Sequence, residues 1–161
     1  MRVVTIGGYG FTEPGFLSAL QLAGVDTFVD VRRRRGLRGA KYAFLNSSRL
    51  QFLMAASGIR YFHALDLAPT KDIRGVQKSA DQVTGTLKRD RTQLSEEFVE
   101  RYKCEILAKF DAAGFVKQIG AAKVLALFCV ESEPCACHRS IAASYLSRLL
   151  ILDRPVEHLG P

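Results

Sequence analysis

The sequence holds no run of eighteen apolar residues, which excludes a membrane-spanning helix on the expected length scale. The opening stretch, MRVVTIGGYGF, lacks the long apolar segment and small-residue cleavage site of a secretory signal. The reading is therefore a cytoplasmic protein with no membrane partner. Cysteines are too few for a disulfide scaffold: four in 161 residues. In a reducing compartment they are thiols, metal ligands or catalysts. Acidic residues are in deficit, 16 against 23 lysines and arginines, and the net charge is +7. A basic balance favours anionic partners, either a phosphate-bearing small molecule or nucleic acid.

Hydrophobic residues make up 48% of the chain, enough to bury a core in one domain spanning residues 1–161. Arg2 to Ile6 is a β-branched run that stops at Gly7-Gly8 and reads as a buried strand. Thr12-Glu13-Pro14 carries a capping hydroxyl and an early proline, and Phe16, Leu17, Leu20 and Ala23 follow at helical spacing. Strands are predicted over 26–31, 59–63 and 123–129, and helices from about 46, 95, 115 and 139. Residues 64 to about 93 are polar without a clear period, and read as a structureless connection: a lid, an insertion or a disordered segment. The tail reads as irregular. Strands alternating with helices predict a three-layer α/β fold. It would have a mainly parallel sheet of about four to five strands, with helices on both faces.

In such sheets ligands bind beyond the carboxyl ends of the strands. That rule selects Tyr9 after the first strand, Asp30 and Arg32 after the second, His63 after the third, and Cys129 and Glu131 after the fourth. The segment Pro134-Cys135-Ala136-Cys137-His138-Arg139 lies on the loop leaving that last strand and opens a helix. Helix N-termini favour anions, so a cysteine there has a depressed pKa and greater nucleophilicity. Cys137 is the predicted nucleophile, with Glu131, Asp30 or His63 handling protons. Arg32, Arg38, Arg139 and His138 are predicted to bind substrate, with Cys129, Tyr9 and Tyr42 beside them. Asp30 and Glu131 have a second reading as carboxylates that hold an arginine in place. The basic stretch Arg32–Lys41 has six cations in ten residues and no acid, suited to contacts along a phosphate backbone.

A metal or redox role competes for the same residues. Cys129, Cys135, Cys137, His138 and His63 are the ligand types zinc takes. Yet Cys-x-Cys-His is tighter than structural zinc spacing, and no second Cys-x-x-Cys pair exists, so no metal and no cofactor is expected. Cys135 and Cys137 also lack thioredoxin-like spacing. A nucleic-acid-binding module without catalysis and a zinc-stabilised structural domain remain the alternatives to an enzyme.

Together these residues resemble the family known as domain of unknown function 488. The matching pieces are Thr5-Ile6-Gly7, Asp30-Val31-Arg32, Ile59, Tyr61 and His63, and a helix with Phe98, Arg101 and Tyr102. The most specific piece is Cys129, Glu131, Pro134, Cys137, His138 and Arg139. The resemblance implies an α/β fold with a shared strand-end site and names no reaction. Gly8-Tyr9 stands where the family shows His-Ser, so any role of that histidine is absent here or passes to Tyr9.

Overall fold

A computed structural model describes residues 1–87 and 90–161. The strands are β1 (Arg2–Ile6), β2 (Thr27–Asp30), β3 (Arg60–His63), β4 (Val124–Phe128) and β5 (Glu157–Leu159). They form one sheet in the order β3-β2-β4-β1-β5, with every neighbouring pair parallel. Helices α1 (Glu13–Leu22), α2 (Ser47–Ala56), α3 (Lys71–Thr84), α4 (Glu96–Glu105), α5 (Ala112–Ile119) and α6 (His138–Leu149) flank it, as a parallel sheet requires. The predicted three-layer α/β class is the one observed. Among the described residues no helix is long and apolar enough to cross a membrane.

Local chemistry accounts for the element ends. Thr12 caps α1 by accepting from the Gly15 amide, with Pro14 in the first turn. The chain leaves α1 at Gly24, whose φ of 67° is a left-handed conformation open to glycine at little cost. The central strands are buried on both faces, and Phe16, Phe28 and Phe128 pack edge-on and tilted beneath α1.

Two segments differ from the sequence reading. The supposedly structureless connection contains the 14-residue helix α3. Its buried side is carried by Ile73 and by a polar residue, Gln77, which hides the apolar period. Gln77 is satisfied there: its amide donates to Asp81 at 2.8 Å and accepts from the Ser95 amide at 2.8 Å. The end signals were present, since Thr70 caps the Ile73 amide and Gly85 closes the helix left-handed. Residues 88 and 89 of that connection lie outside the described residues. The tail, read as irregular, adds the edge strand β5 beside β1, with His158 Nδ1 2.7 Å from Thr5 Oγ1. Three residues, two of them polar, give too short a pattern to read.

Because β4 lies between β1 and β2, the loops leaving these three strands meet at one point on the carboxyl edge. Gly7–Tyr9, Val31–Arg35 and Cys129–Cys137 all belong to that meeting point.

Candidate functional site

The loop after β4 is anchored first. The amides of Gly8 and Tyr9 both donate to the Val130 carbonyl, at 3.1 and 2.9 Å. Arg139, only 1% exposed, donates from its two terminal nitrogens to the carbonyls of Glu131 and Ser132. Gly7 permits this closeness, since a Cβ there would run into the Glu131 carbonyl oxygen. That oxygen is backbone and cannot swing away. Gly7→Ala is therefore expected to destabilise the fold by about 1–3 kcal/mol and to displace the Glu131 loop. A urea midpoint unchanged from wild type would show that the close approach is not needed.

The second anchor is a buried ion pair at the end of β2. Arg32 Nε and Nη2 reach the two Asp30 oxygens at 2.8 and 2.7 Å, and the Arg32 amide donates to the same carboxylate at 3.1 Å. Tyr61 on β3 adds its hydroxyl at 2.8 Å. Burial, then the Asp30 charge, pushes the Tyr61 phenol up to about 12, so it remains a donor. Of the two readings of Asp30, holding an arginine is the one its contacts express. The guanidinium lies 4.6 Å above the Phe128 ring, and its buried Nη1 has no partner among the described residues. His63 Nε2 donates to the Arg32 carbonyl at 2.9 Å, which supports the arginine's backbone.

The thiols sit beside this pair. Cys137 is the N-cap residue of α6, and its side chain makes no capping bond. Its Sγ lies 3.9 Å from His138 Nδ1 and 3.6 Å from Glu131 Oε2. Cys129, leaving β4, donates to the same Glu131 oxygen at 3.2 Å. His138 Nε2 lies 2.9 Å from the Val31 carbonyl, so that nitrogen carries a proton and Nδ1 faces the sulfur. Tyr102 of α4 packs edge-on against the imidazole and donates its hydroxyl to the Leu67 carbonyl at 2.6 Å.

Burial by itself would raise the Cys137 thiol, but a hydrogen bond from Cys129 and the charge of the His138 imidazolium outweigh it, holding it near a pKa of about 5. Burial likewise opposes charge on His138, and the Cys137 thiolate overrides it and raises the imidazole. Cys129 goes the other way: its hydrogen bond to Cys137, then burial, keep it a thiol. The pH dependence follows in sign. A depressed thiol stays ionised as pH falls until its own pKa is reached, so alkylation of Cys137 by iodoacetamide should be half-maximal near pH 5. An ordinary thiol titrates near about 8.5. Peptide mapping of alkylation against pH checks this, and a rate that rises only above pH 8 would refute it.

These groups floor a cleft of about 590 Å³. Its walls carry Arg33 and Arg34 from the basic loop, Arg74 and Lys78 one turn apart on α3, and Arg91. Arg74 shows the crowding: burial, then the charges of Arg34 and Arg33, lower its guanidinium pKa, and its buried Nε has no partner among the described residues. Tyr9 lines the cleft and packs on Tyr42, ring centroids 5.0 Å apart.

Of the predicted site residues, Cys137, His138, Cys129, Glu131, Arg32 and Tyr9 are brought together at the cleft. Asp30, His63, Tyr42, Arg38 and Arg139 are not among its lining residues. Arg38 is exposed on the basic loop, and Arg139 is taken up by the two carbonyls behind the site. The sequence reading missed Arg74, Lys78 and Arg91, all in the connection taken as structureless. The capped helix with cations four residues apart was the available signal. Cys129, Cys137 and His138 also form a buried cluster whose ligand atoms lie within 4.8 Å of one another, the one group among the described residues arranged to hold a metal ion.

The family model for Domain of unknown function DUF488 matches residues 14–146. No curated protein and no solved structure matches the chain.

Proposed function

The chain belongs to the family Domain of unknown function DUF488, and from that premise we propose that it is an enzyme in which Cys137 attacks a phosphate-bearing substrate, a nucleotide or nucleic acid. The observation that carries the reading is the buried Cys137–His138 pair at the N-terminus of α6, on the floor of a cleft walled by arginines. His138 Nδ1 takes the thiol proton and the sulfur attacks the phosphorus; the bond to the substrate's ester oxygen breaks, and that oxygen leaves as an alcohol with the proton from His138. Water or a second substrate then breaks the sulfur–phosphorus bond and returns the Cys137 thiolate. The buried N-terminus of α6 and Arg32 Nη1, which has no partner among the described residues, stabilise negative charge as it develops. Glu131 holds the Cys129 thiol in place beside the nucleophile. Arg33, Arg34, Arg74 and Lys78 neutralise the substrate's phosphates along the cleft.

The reaction class is hydrolase or transferase. The test is turnover by the full chain against a panel of phosphomonoesters, phosphodiesters and modified nucleotides, with Cys137→Ser alongside. Turnover of one class by wild type alone is the expected result. The same cations would also serve a binding module without catalysis. No turnover of any class, with nucleic-acid binding that falls steeply with salt and survives Cys137→Ser, would replace the enzyme reading by that one.

A further inference from the structure

Four donors converge behind the cleft from one strand, one loop and one helix end. Cys129 leaves β4, Glu131 follows two residues later, Cys137 caps α6, and His138 is the first residue of that helix. The two sulfurs and the imidazole nitrogen lie within 4.8 Å of one another, all on buried residues. Glu131 Oε2 sits 3.2 Å from one sulfur and 3.6 Å from the other. We propose that Cys129, Glu131, Cys137 and His138 form a binding site for one soft divalent metal ion, of which Zn²⁺ is the best match.

The spacing of the two sulfurs and the imidazole suits one ion. Tetrahedral zinc, with bonds of about 2.3 Å to sulfur and about 2.1 Å to nitrogen or oxygen, sets its ligand atoms roughly 3.5–3.8 Å apart. The separations of 3.2, 3.6 and 3.9 Å surround that range. Glu131 lies outside the set of three whose atoms are mutually within 4.8 Å, so its carboxylate turns toward the imidazole to complete the tetrahedron. The orientation fits as well. A metal-bound histidine donates its other ring N–H to a carbonyl or carboxylate, and His138 Nε2 is 2.9 Å from the Val31 carbonyl with Nδ1 turned to the sulfurs. Arg139 clamps the Glu131 and Ser132 carbonyls from behind, so the loop between the ligands is held. Two thiolates and an imidazole select zinc over magnesium or calcium, which take oxygen ligands.

The site goes beyond the nucleophile reading and stands apart from it. A Cys137 sulfur bonded to zinc shares its charge with the metal and is a weaker nucleophile than the free thiolate, so metal-bound and reactive forms compete for one atom. Binding releases the protons that the ligands carry, so affinity weakens as pH is lowered.

The experiment uses the metal-free full chain. Zn²⁺ is titrated against a chromophoric chelator, and Co²⁺ is added to read tetrahedral thiolate coordination in the visible spectrum. One equivalent of metal is expected, with binding weakened at least about tenfold in Cys129→Ser and His138→Ala. The double variant of the exposed cysteines, Cys104→Ser with Cys135→Ser, should bind as wild type does. Zn²⁺ should also protect Cys137 from iodoacetamide in the unmodified chain, a readout that needs no folded variant. Binding that survives Cys129→Ser but is lost in the exposed-cysteine variant would overturn the site. So would equal alkylation of Cys137 with and without Zn²⁺. Zinc binding without turnover keeps the site and removes the enzyme reading, whereas turnover without zinc binding does the reverse.

Discussion

Cys137→Ser is expected to lower substrate turnover by at least about a thousandfold while leaving the fold intact. The change exchanges sulfur for oxygen at nearly constant volume. It removes a thiol that its surroundings hold as an anion at neutral pH on the cleft floor. A serine there lacks activation: its hydroxyl pKa is far above that of a thiol, and His138 is oriented by a carbonyl, Val31, rather than by a carboxylate. Stability should not suffer, because serine is a preferred N-cap and the Cys137 side chain makes no capping bond to lose. A urea midpoint equal to or slightly above wild type, together with lost turnover, separates chemistry from folding. A variant that keeps its activity would end the nucleophile assignment.

Asp30→Ala carries the largest expected cost in stability, about 3–5 kcal/mol. The Arg32–Asp30 side chains are 2% and 0% exposed, so removal of the carboxylate strands a guanidinium in the interior. Three Arg32 hydrogen bonds and the Tyr61 hydroxyl bond go with it. The cost comes from the uncompensated charge more than from the lost attraction. Asp30→Ala combined with Arg32→Leu should therefore recover much of the loss, since an apolar side chain can lie on the Phe128 ring. That double variant should still fail as an enzyme, because the anion-binding arginine is gone. Equilibrium unfolding of the three variants checks the ordering. A loss below about 1 kcal/mol in Asp30→Ala would show that the pair does not hold the strand ends together.

Much of the site was readable because it is local. Cys137, His138 and Arg139 are adjacent, and a proline-led loop before a helical run marks the helix start. Asp30 and Arg32 are two residues apart at a strand end, where an ion pair was one of two readings. Arg139 shows the limit. Its position predicted an anion clamp, but side-chain direction in the first turn is set by what packs against it, and two carbonyls of the preceding loop claim its nitrogens. The α3 helix shows another. Its inward side includes Gln77, whose amide is satisfied by Asp81 and Ser95, so hydrophobic periodicity alone missed a 14-residue element and the cations it brings to the cleft.

Pattern and composition were enough for the α/β class, the strand-end location and Cys137 at a helix start. These follow from period, capping and charge, which are properties of neighbouring residues. Strand order could not be read that way. With β4 placed between β1 and β2, residues about a hundred positions apart become neighbours, and His138 meets the Val31 carbonyl. That placement also sets Cys129 beside Cys137 and closes a three-donor cluster with His138 that spacing alone had discounted. The reason is physical: a ligand set is a set of distances in space, and only the packed sheet edge converts remote positions into distances of a few ångströms.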